Sequence, residues 1–141
     1  MISFSNQDIN FSLKKKLEVR NWARTILERE GKLAGELAFI YCSDEYLLGL
    51  NKQYLKHETL TDIITFDYTE NEAISGDVFI SIERVKENAG LFSKTFDEEL
   101  GRVMAHGVLH LAGYKDKTTE HKKEMRSKED LYLPSYPNLM K

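Results

Sequence analysis

The most informative stretch of the chain is His106-Gly107-Val108-Leu109-His110-Leu111-Ala112-Gly113-Tyr114-Lys115-Asp116. A helix advances about 100° per residue, so His106 and His110 project from one face, one turn apart. Gly113 follows where a C-cap glycine is favoured, because a positive φ costs little without a Cβ. Asp116 can then return to the same end of the helix. Two histidines and a carboxylate, with a fourth position for water, are typical ligands of catalytic zinc. The stretch therefore predicts one zinc ion per chain.

Two histidines at this spacing also occur on ordinary solvated helix faces. Here the neighbouring Val103, Val108 and Leu109 are apolar, which indicates that much of the helix is buried. A buried imidazole needs a proton, a hydrogen-bond partner or a metal. The metal interpretation is therefore preferred.

Size and composition indicate one ordinary globular domain. The chain has 141 residues, 41% hydrophobic and 30% charged, with a formal net charge of -3. This small negative net charge is unlike the strongly basic charge that is typical of nucleic-acid-binding domains. Residues 115–128 nevertheless hold six basic and three acidic residues, beside the predicted metal site. On its own, this local excess is more typical of a solvated helix face than of a binding patch.

Several features favour a soluble cytoplasmic protein without a membrane partner. No apolar run approaches the ~20 residues that span a bilayer, and residues 1–4 lead into polar chain without a signal-peptide pattern. The lone Cys42 cannot form an internal disulfide, which favours a reducing compartment.

The pattern of elements predicts an α+β domain. Strands are expected at 2–4, 36–42, 62–68 and 77–81, and helices after an N-cap at Ser12, after an N-cap at Ser43, from Ile82, from near Phe96 and over 119–131. Thr95 and Glu98 form a capping-box pattern that starts the histidine helix. We expect a single domain over residues 1–132, with a mixed sheet of about four strands packed with helices and the metal site on a late helix. Residues 133–141 are expected to trail from it as an irregular tail.

The run HGVLHLAGYKD, residues 106–116, resembles the motif HGxLHLxGYDH of the YbeY family, the metal-dependent endoribonucleases of bacterial rRNA maturation. Earlier segments resemble that family's LNxxYRxKDxPTDVLSF and GDI blocks in the same order: Leu50-Asn51, Tyr54, Thr61-Asp62-Ile63-Ile64-Thr65-Phe66 and Gly76-Asp77-Val78. The resemblance covers nearly the whole chain. It implies a zinc-bound, single-strand-specific endoribonuclease that acts on the 3' end of small-subunit rRNA and in ribosome quality control. Single-stranded RNA and the small ribosomal subunit are the implied partners.

The family's first two metal ligands fall on His106 and His110, whereas its third, a histidine, is Asp116 here. A carboxylate is a competent zinc ligand at about 2.0–2.2 Å, although its charge makes the ion a weaker Lewis acid. His121 is the alternative third ligand. It lies five residues further on, inside the next predicted helix, so Asp116 is preferred.

A second departure concerns the cation that would stabilise phosphate charge. The family's arginine after the tyrosine of LNxxYR is Leu55 in this chain. Lys56 or His57 are alternative sources of that charge, although either suits an exposed loop. No catalytic residue outside the metal shell is assigned. Lys115 and Lys117 are candidates for contacts with RNA phosphates.

The same eleven residues also resemble HExxHxxGxxH of the metzincin zinc proteases, because the histidines, Gly113 and Asp116 occupy ligand and turn positions. Those enzymes need a glutamate after the first histidine as general base, and Gly107 stands there. Peptide hydrolysis by that route therefore lacks its base. A metalloprotease is one alternative function, and a non-catalytic ribosome assembly factor with a structural metal is another.

Overall fold

The computed structural model describes residues 1–55 and 60–139. The strands and helices are β1 (Ile2–Asn6), α1 (Lys16–Arg29), β2 (Leu33–Cys42), α2 (Asp44–Leu50), β3 (Ile63–Asp67), β4 (Ala73–Ser81), α3 (Ile82–Leu91), α4 (Phe96–Leu111) and α5 (Thr119–Tyr132). A π-helical turn extends α2 over Asn51–Leu55, and 3-10 turns follow α5 at Leu133–Ser135 and Pro137–Leu139. Within the described ranges, no helix is long and apolar enough to cross a membrane.

The four strands form one mixed sheet in the order β1-β2-β4-β3. The first three strands of this order run parallel, and β3 pairs antiparallel with β4 at the edge. Burial alternates along β4, where Ile74, Val78 and Ile80 are buried, as the two faces of a strand require. The predicted single α+β domain with four mixed strands is confirmed. Its topology puts the edge strand β3 in contact with α4, the helix that carries His106.

α4 lies at the centre of the helical layer and contacts α1, α3, α5, β3 and β4. The predicted capping box fixes its first turn: the Glu98 amide donates to Thr95 Oγ1 at 3.1 Å, and the Thr95 amide donates to Glu98 Oε1 at 3.0 Å. Gly107 lets the helix lie close to the sheet, because a Cβ there would stand 2.8 Å from Cγ1 of Val78. This contact sets how deeply the neighbouring His106 is held.

The start of α1 differs from the expectation that Ser12 caps it. The helix begins at Lys16, and the preceding Lys15 takes a left-handed φ of 56°. Leu13, ahead of the helix, is buried, whereas Leu17 inside it is 60% exposed. The chain therefore turns at Lys15 so that Leu13 can reach the core, a tertiary requirement that a capping pattern does not carry.

The C-terminal segment also differs from the expected irregular tail. It forms the two 3-10 turns, and Tyr136 between them is fully buried. The Tyr136 ring meets Trp22 edge-on, with 4.8 Å between ring centroids. It also lies over Gly101, where a Cβ would stand only 2.6 Å from Tyr136 Cδ2. Burial of this large aromatic ring explains why the segment follows the core through Leu139.

We predict that Tyr136→Ala lowers the free energy of unfolding by about 3–5 kcal/mol, because it empties a buried aromatic site. Tyr136→Phe is the matched control. It keeps the ring and loses a hydroxyl that accepts from Asn138 Nδ2 at 3.3 Å, so it should cost about 1 kcal/mol. Urea unfolding followed by circular dichroism measures both. Equal stability of the alanine variant and wild type would show that the segment does not belong to the core.

Candidate functional site

A cleft of about 630 Å³ is lined by the start of β3, by α4 and by the residues before and within α5. The three predicted metal ligands, His106, His110 and Asp116, all line it. Lys117 also lines it, whereas Lys115 is exposed outside the lining. In the structure, the three candidate ligands and one of the two candidate RNA-binding lysines therefore lie around one cavity.

The predicted ligands are brought together unequally. His106 Nε2 lies 3.3 Å from Asp116 Oδ2, close to the ~3.3–3.4 Å that separates two ligands of a tetrahedral zinc ion with bonds of about 2.0–2.1 Å. The His110 ring is parallel to that of His106 within 6°, with 6.3 Å between centroids. Within residues 1–55 and 60–139, no three His, Cys, Asp or Glu side chains form a ready metal-binding group. Two candidates are thus at ligand spacing, and the third is one helical turn away on the same face.

A carboxylate of α5 binds the Nδ1 atom of the His106 ring, the nitrogen that does not face Asp116. Its Nδ1 lies 2.8 Å from Glu129 Oε2, and Glu129 is buried. Glu129 also accepts from Arg102 at 3.0 Å, and Arg102 donates to the exposed Asp130 at 2.8 Å. A carboxylate on one imidazole nitrogen is the usual way in which metal-binding histidines are oriented. Here it leaves Nε2 facing Asp116.

The loop that carries Asp116 is fixed through Tyr114. The Tyr114 hydroxyl donates to Glu30 at the end of α1, and the same carboxylate accepts from the Tyr132 hydroxyl and from Lys128 Nζ at 3.2 Å. Burial alone raises the pKa of Glu30, but these hydrogen bonds outweigh it and lower the pKa. The glycine turn is therefore tied to both α1 and α5.

The floor of the cleft concentrates negative charge around one imidazole. Burial lowers the pKa of His106, but the hydrogen bond and charge of Glu129, with nearby carboxylates, outweigh it and raise that pKa. Burial raises the pKa of Asp62, and the charge of His106 opposes the rise. Burial also raises the pKa of Glu99, and the charge of Asp62 adds to it. Crowded carboxyl groups of this kind favour a nearby cation.

Sequence reasoning missed three of these residues, Glu99, Arg102 and Glu129. Glu99 and Arg102 precede His106 by seven and four positions, so the three share one face of α4. Glu129 follows the buried Met125 by four positions on the inner face of α5. Charged residues placed inside an apolar helix face were the available signal.

The other residues of the family-like segments lie in different parts of the structure. Asp62 lines the cleft, whereas Asp77 accepts a hydrogen bond from the Tyr68 hydroxyl at 3.2 Å. Leu55, which replaces the arginine of the family pattern, also lines the cleft. Lys56 and His57, the alternative sources of positive charge, lie outside the described residues.

His121 is placed in the first turn of α5, where its amide donates to Thr118 Oγ1 at 3.1 Å. Its Nδ1 is buried without a hydrogen-bond partner among the described residues. It is not one of the residues that line the cleft with His106 and Asp116. The choice of Asp116 over His121 as third ligand stays a prediction.

Comparison with known proteins matches this chain over nearly its whole length. The family model described as Endoribonuclease YbeY matches residues 2–137. The Endoribonuclease YbeY of Flavobacterium psychrophilum is 52% identical over 130 residues, which cover 92% of each chain. That of Parabacteroides distasonis is 43% identical over 136 residues, 96% of each chain. The solution structure of a Thermotoga maritima protein superposes with a TM-score of 0.65 at 29% identity, over 96% of this chain and 89% of that one.

We predict that Glu129→Ala lowers the free energy of unfolding by about 3 kcal/mol, because it leaves the half-buried Arg102 and His106 without their shared carboxylate. Asp130→Ala is the matched control. It also removes a carboxylate from Arg102, but that side chain is 57% exposed, so the loss should stay within about 1 kcal/mol. Urea unfolding with a chelator present measures the apoprotein. Equal losses in the two variants would contradict the central role of Glu129.

Proposed function

This chain belongs to the YbeY endoribonuclease family, and we propose that it is a zinc-dependent, single-strand-specific endoribonuclease of small-subunit rRNA 3'-end maturation and ribosome quality control. Family membership makes it an RNA hydrolase with a role in rRNA processing. The metal dependence in this proposal is supported by the cleft, which holds a histidine and a carboxylate at the spacing of shared metal ligands. Its other details are what the resemblance to the family implies. The small ribosomal subunit is the proposed partner, and the cytoplasm is the proposed location.

We propose His106, His110 and Asp116 as the ligands of one zinc ion. Their nitrogen and oxygen donors are of the kind that zinc prefers, and the carboxyl groups around them favour a cation. Bound zinc supplies Lewis-acid chemistry, which polarises a phosphate oxygen and lowers the pKa of a water ligand. In this arrangement Glu129 orients the first imidazole, and the Tyr114 anchor holds the loop of Asp116.

RNA is the substrate that we propose for the cleft, with Lys117 in contact with a phosphate inside it. Lys115 is exposed outside the lining, so it suits a phosphate further along the strand. A cavity of about 630 Å³ falls within the ~300–1,000 Å³ typical of ligand sites. Arg102 also lines it, but Glu129 and Asp130 hold its guanidinium.

The metalloprotease alternative lacks support at Gly107. A Cβ there would meet Val78 Cγ1 at 2.8 Å and Ile63 Cδ1 at 3.0 Å. A side chain at this position would therefore meet the sheet. No glutamate stands there to act as the general base that the protease pattern requires.

We predict that wild-type protein purified without chelator contains one zinc per chain, and that Asp116→Ala releases it to a mild chelator. Loss of a direct ligand should weaken zinc affinity by more than the ~10- to 100-fold loss that is typical when a residue hydrogen-bonded to a ligand is replaced. Asp116→His should keep the metal, since imidazole is an equally good ligand. His121→Ala is the matched control and should also keep it. Elemental analysis and chelator titration measure these changes. Zinc lost from His121→Ala but kept by Asp116→Ala would overturn the ligand assignment.

We predict that the metal-loaded protein cleaves single-stranded RNA and leaves casein intact. Zinc at His106 should be needed for that cleavage, so His106→Ala prepared in parallel should lose it. Gel analysis of both substrates separates the classes. Casein cleavage by wild type alone would favour the protease. RNA left intact by metal-loaded wild type would favour an assembly factor with a structural metal, and equal RNA cleavage by both proteins would indicate contamination.

A further inference from the structure

Besides its carboxyl groups, the cleft has apolar side chains on some of its elements and cations on others. Phe92, directly after α3, and Leu55, at the end of the π-helical turn, contribute apolar side chains. Lys117 and Arg126, from the loop before α5 and from α5 itself, contribute cations. An unpaired nucleotide has the same division, with an apolar base face and a charged phosphate.

Phe92 is the aromatic residue among the exposed apolar side chains that line the cleft. It is 59% exposed although it lines the cleft. Among the residues that the structure describes, no aromatic ring pairs with it. Its neighbour Leu91 is 68% exposed but is not part of the cleft lining. An exposed aromatic ring that lines a cleft is available to stack on a planar group of a ligand.

The backbone that carries Phe92 is held in place by the end of α3. The Ser93 amide donates to Gly90 O at 3.3 Å, and the Lys94 amide donates to Ala89 O at 2.8 Å. Ser93 takes the left-handed φ of 55° that this helix ending requires, although it is not a glycine. The Phe92 ring is therefore presented from a fixed backbone, which reduces the entropy lost when a ligand binds.

The cations on the other elements differ in their freedom to bind phosphate. Arg126 is 63% exposed, and its nearest carboxylate, Glu129, is 3.9 Å away. Lys117 is exposed as well. Arg102, in contrast, is held by two carboxylates at 2.8–3.0 Å. Phosphates in the cleft would therefore be drawn toward Lys117 and Arg126.

We propose that Phe92 is a stacking platform for one unpaired base of the substrate RNA, with the adjoining phosphates on Lys117 and Arg126. This inference rests on the proposed function and adds the orientation of the strand: bases toward α3 and the phosphate backbone toward α5. Stacking on an aromatic face tolerates any base but requires the base to be unpaired. The platform therefore selects single strands without reading their sequence.

The first test measures the affinity of the full chain for a short labelled single-stranded RNA by fluorescence anisotropy, with a chelator present to prevent cleavage. Phe92→Ala should weaken binding by about 5- to 150-fold, the range for loss of one stacked base. Phe92→Trp should bind as wild type, whereas Phe92→Leu, apolar but not aromatic, should bind as the alanine variant. Leu91→Ala is the matched control and should leave affinity unchanged. Thermal unfolding of each variant verifies that the fold is kept.

The second test uses RNAs in which one nucleotide at a time lacks its base. In wild type, one abasic position should weaken binding, and in Phe92→Ala the same position should have no further effect. Arg126→Ala should instead keep the abasic pattern and reduce the slope of log affinity against log salt by about 0.7. An abasic pattern that is the same in wild type and Phe92→Ala would overturn the platform.

The outcomes also separate this inference from the proposed function. Metal-loaded wild type that leaves RNA intact would reject the function itself. RNA cleavage by wild type, together with equal affinities of Phe92→Ala and Leu91→Ala, would reject only the platform.

Discussion

A helix can approach a sheet closely only where its side chains leave room, and α4 meets β4 at Gly107, where a Cβ would stand 2.8 Å from Val78 Cγ1. α3, α5 and β3 each contact α4 as well, so the depth of α4 sets the distances between the elements that line the cleft. The capping box at Thr95 and Glu98 fixes where this helix begins, and hence which residues reach Gly107. One packing contact and one cap therefore determine where His106 projects.

Close packing of α4 carries the polar side chains of His106 and Arg102 toward the interior on the same helix face, so both side chains need hydrogen-bond partners. Buried polar groups cost free energy unless they are paired, and Glu129 pairs with both of them. Glu129 therefore offsets the cost of burying these polar groups between α4 and α5, and it also orients the imidazole toward the cleft. Stability and site geometry depend on the same side chain, whereas the exposed Asp130 pairs with Arg102 but not with His106.

Local patterns in the sequence predicted the parts that local interactions control. The capping box, the Ser43 cap of α2 and the two histidines on one helix face are set by residues three or four apart, and the structure has each of them. Glu129 and Tyr136 were missed because their roles depend on partners distant in sequence. Glu129 contacts a histidine 23 positions away, and Tyr136 packs against Trp22. Their neighbours in the sequence, mostly polar or proline, do not identify these distant partners.

Gly107 also links packing to the class of reaction. In the metzincin pattern this position carries the glutamate that acts as general base, but here it faces Val78 and Ile63 in the sheet. The Cβ of a glutamate at 107 would press on the side chains of Val78 in β4 and Ile63 in β3, so these side chains or α4 itself would have to shift. The glycine that lets α4 pack closely on the sheet therefore leaves this position without the general base of the protease pattern. Any carboxylate that takes part in the reaction must come from another position, and Glu99 of α4 and Asp62, just before β3, already line the cleft.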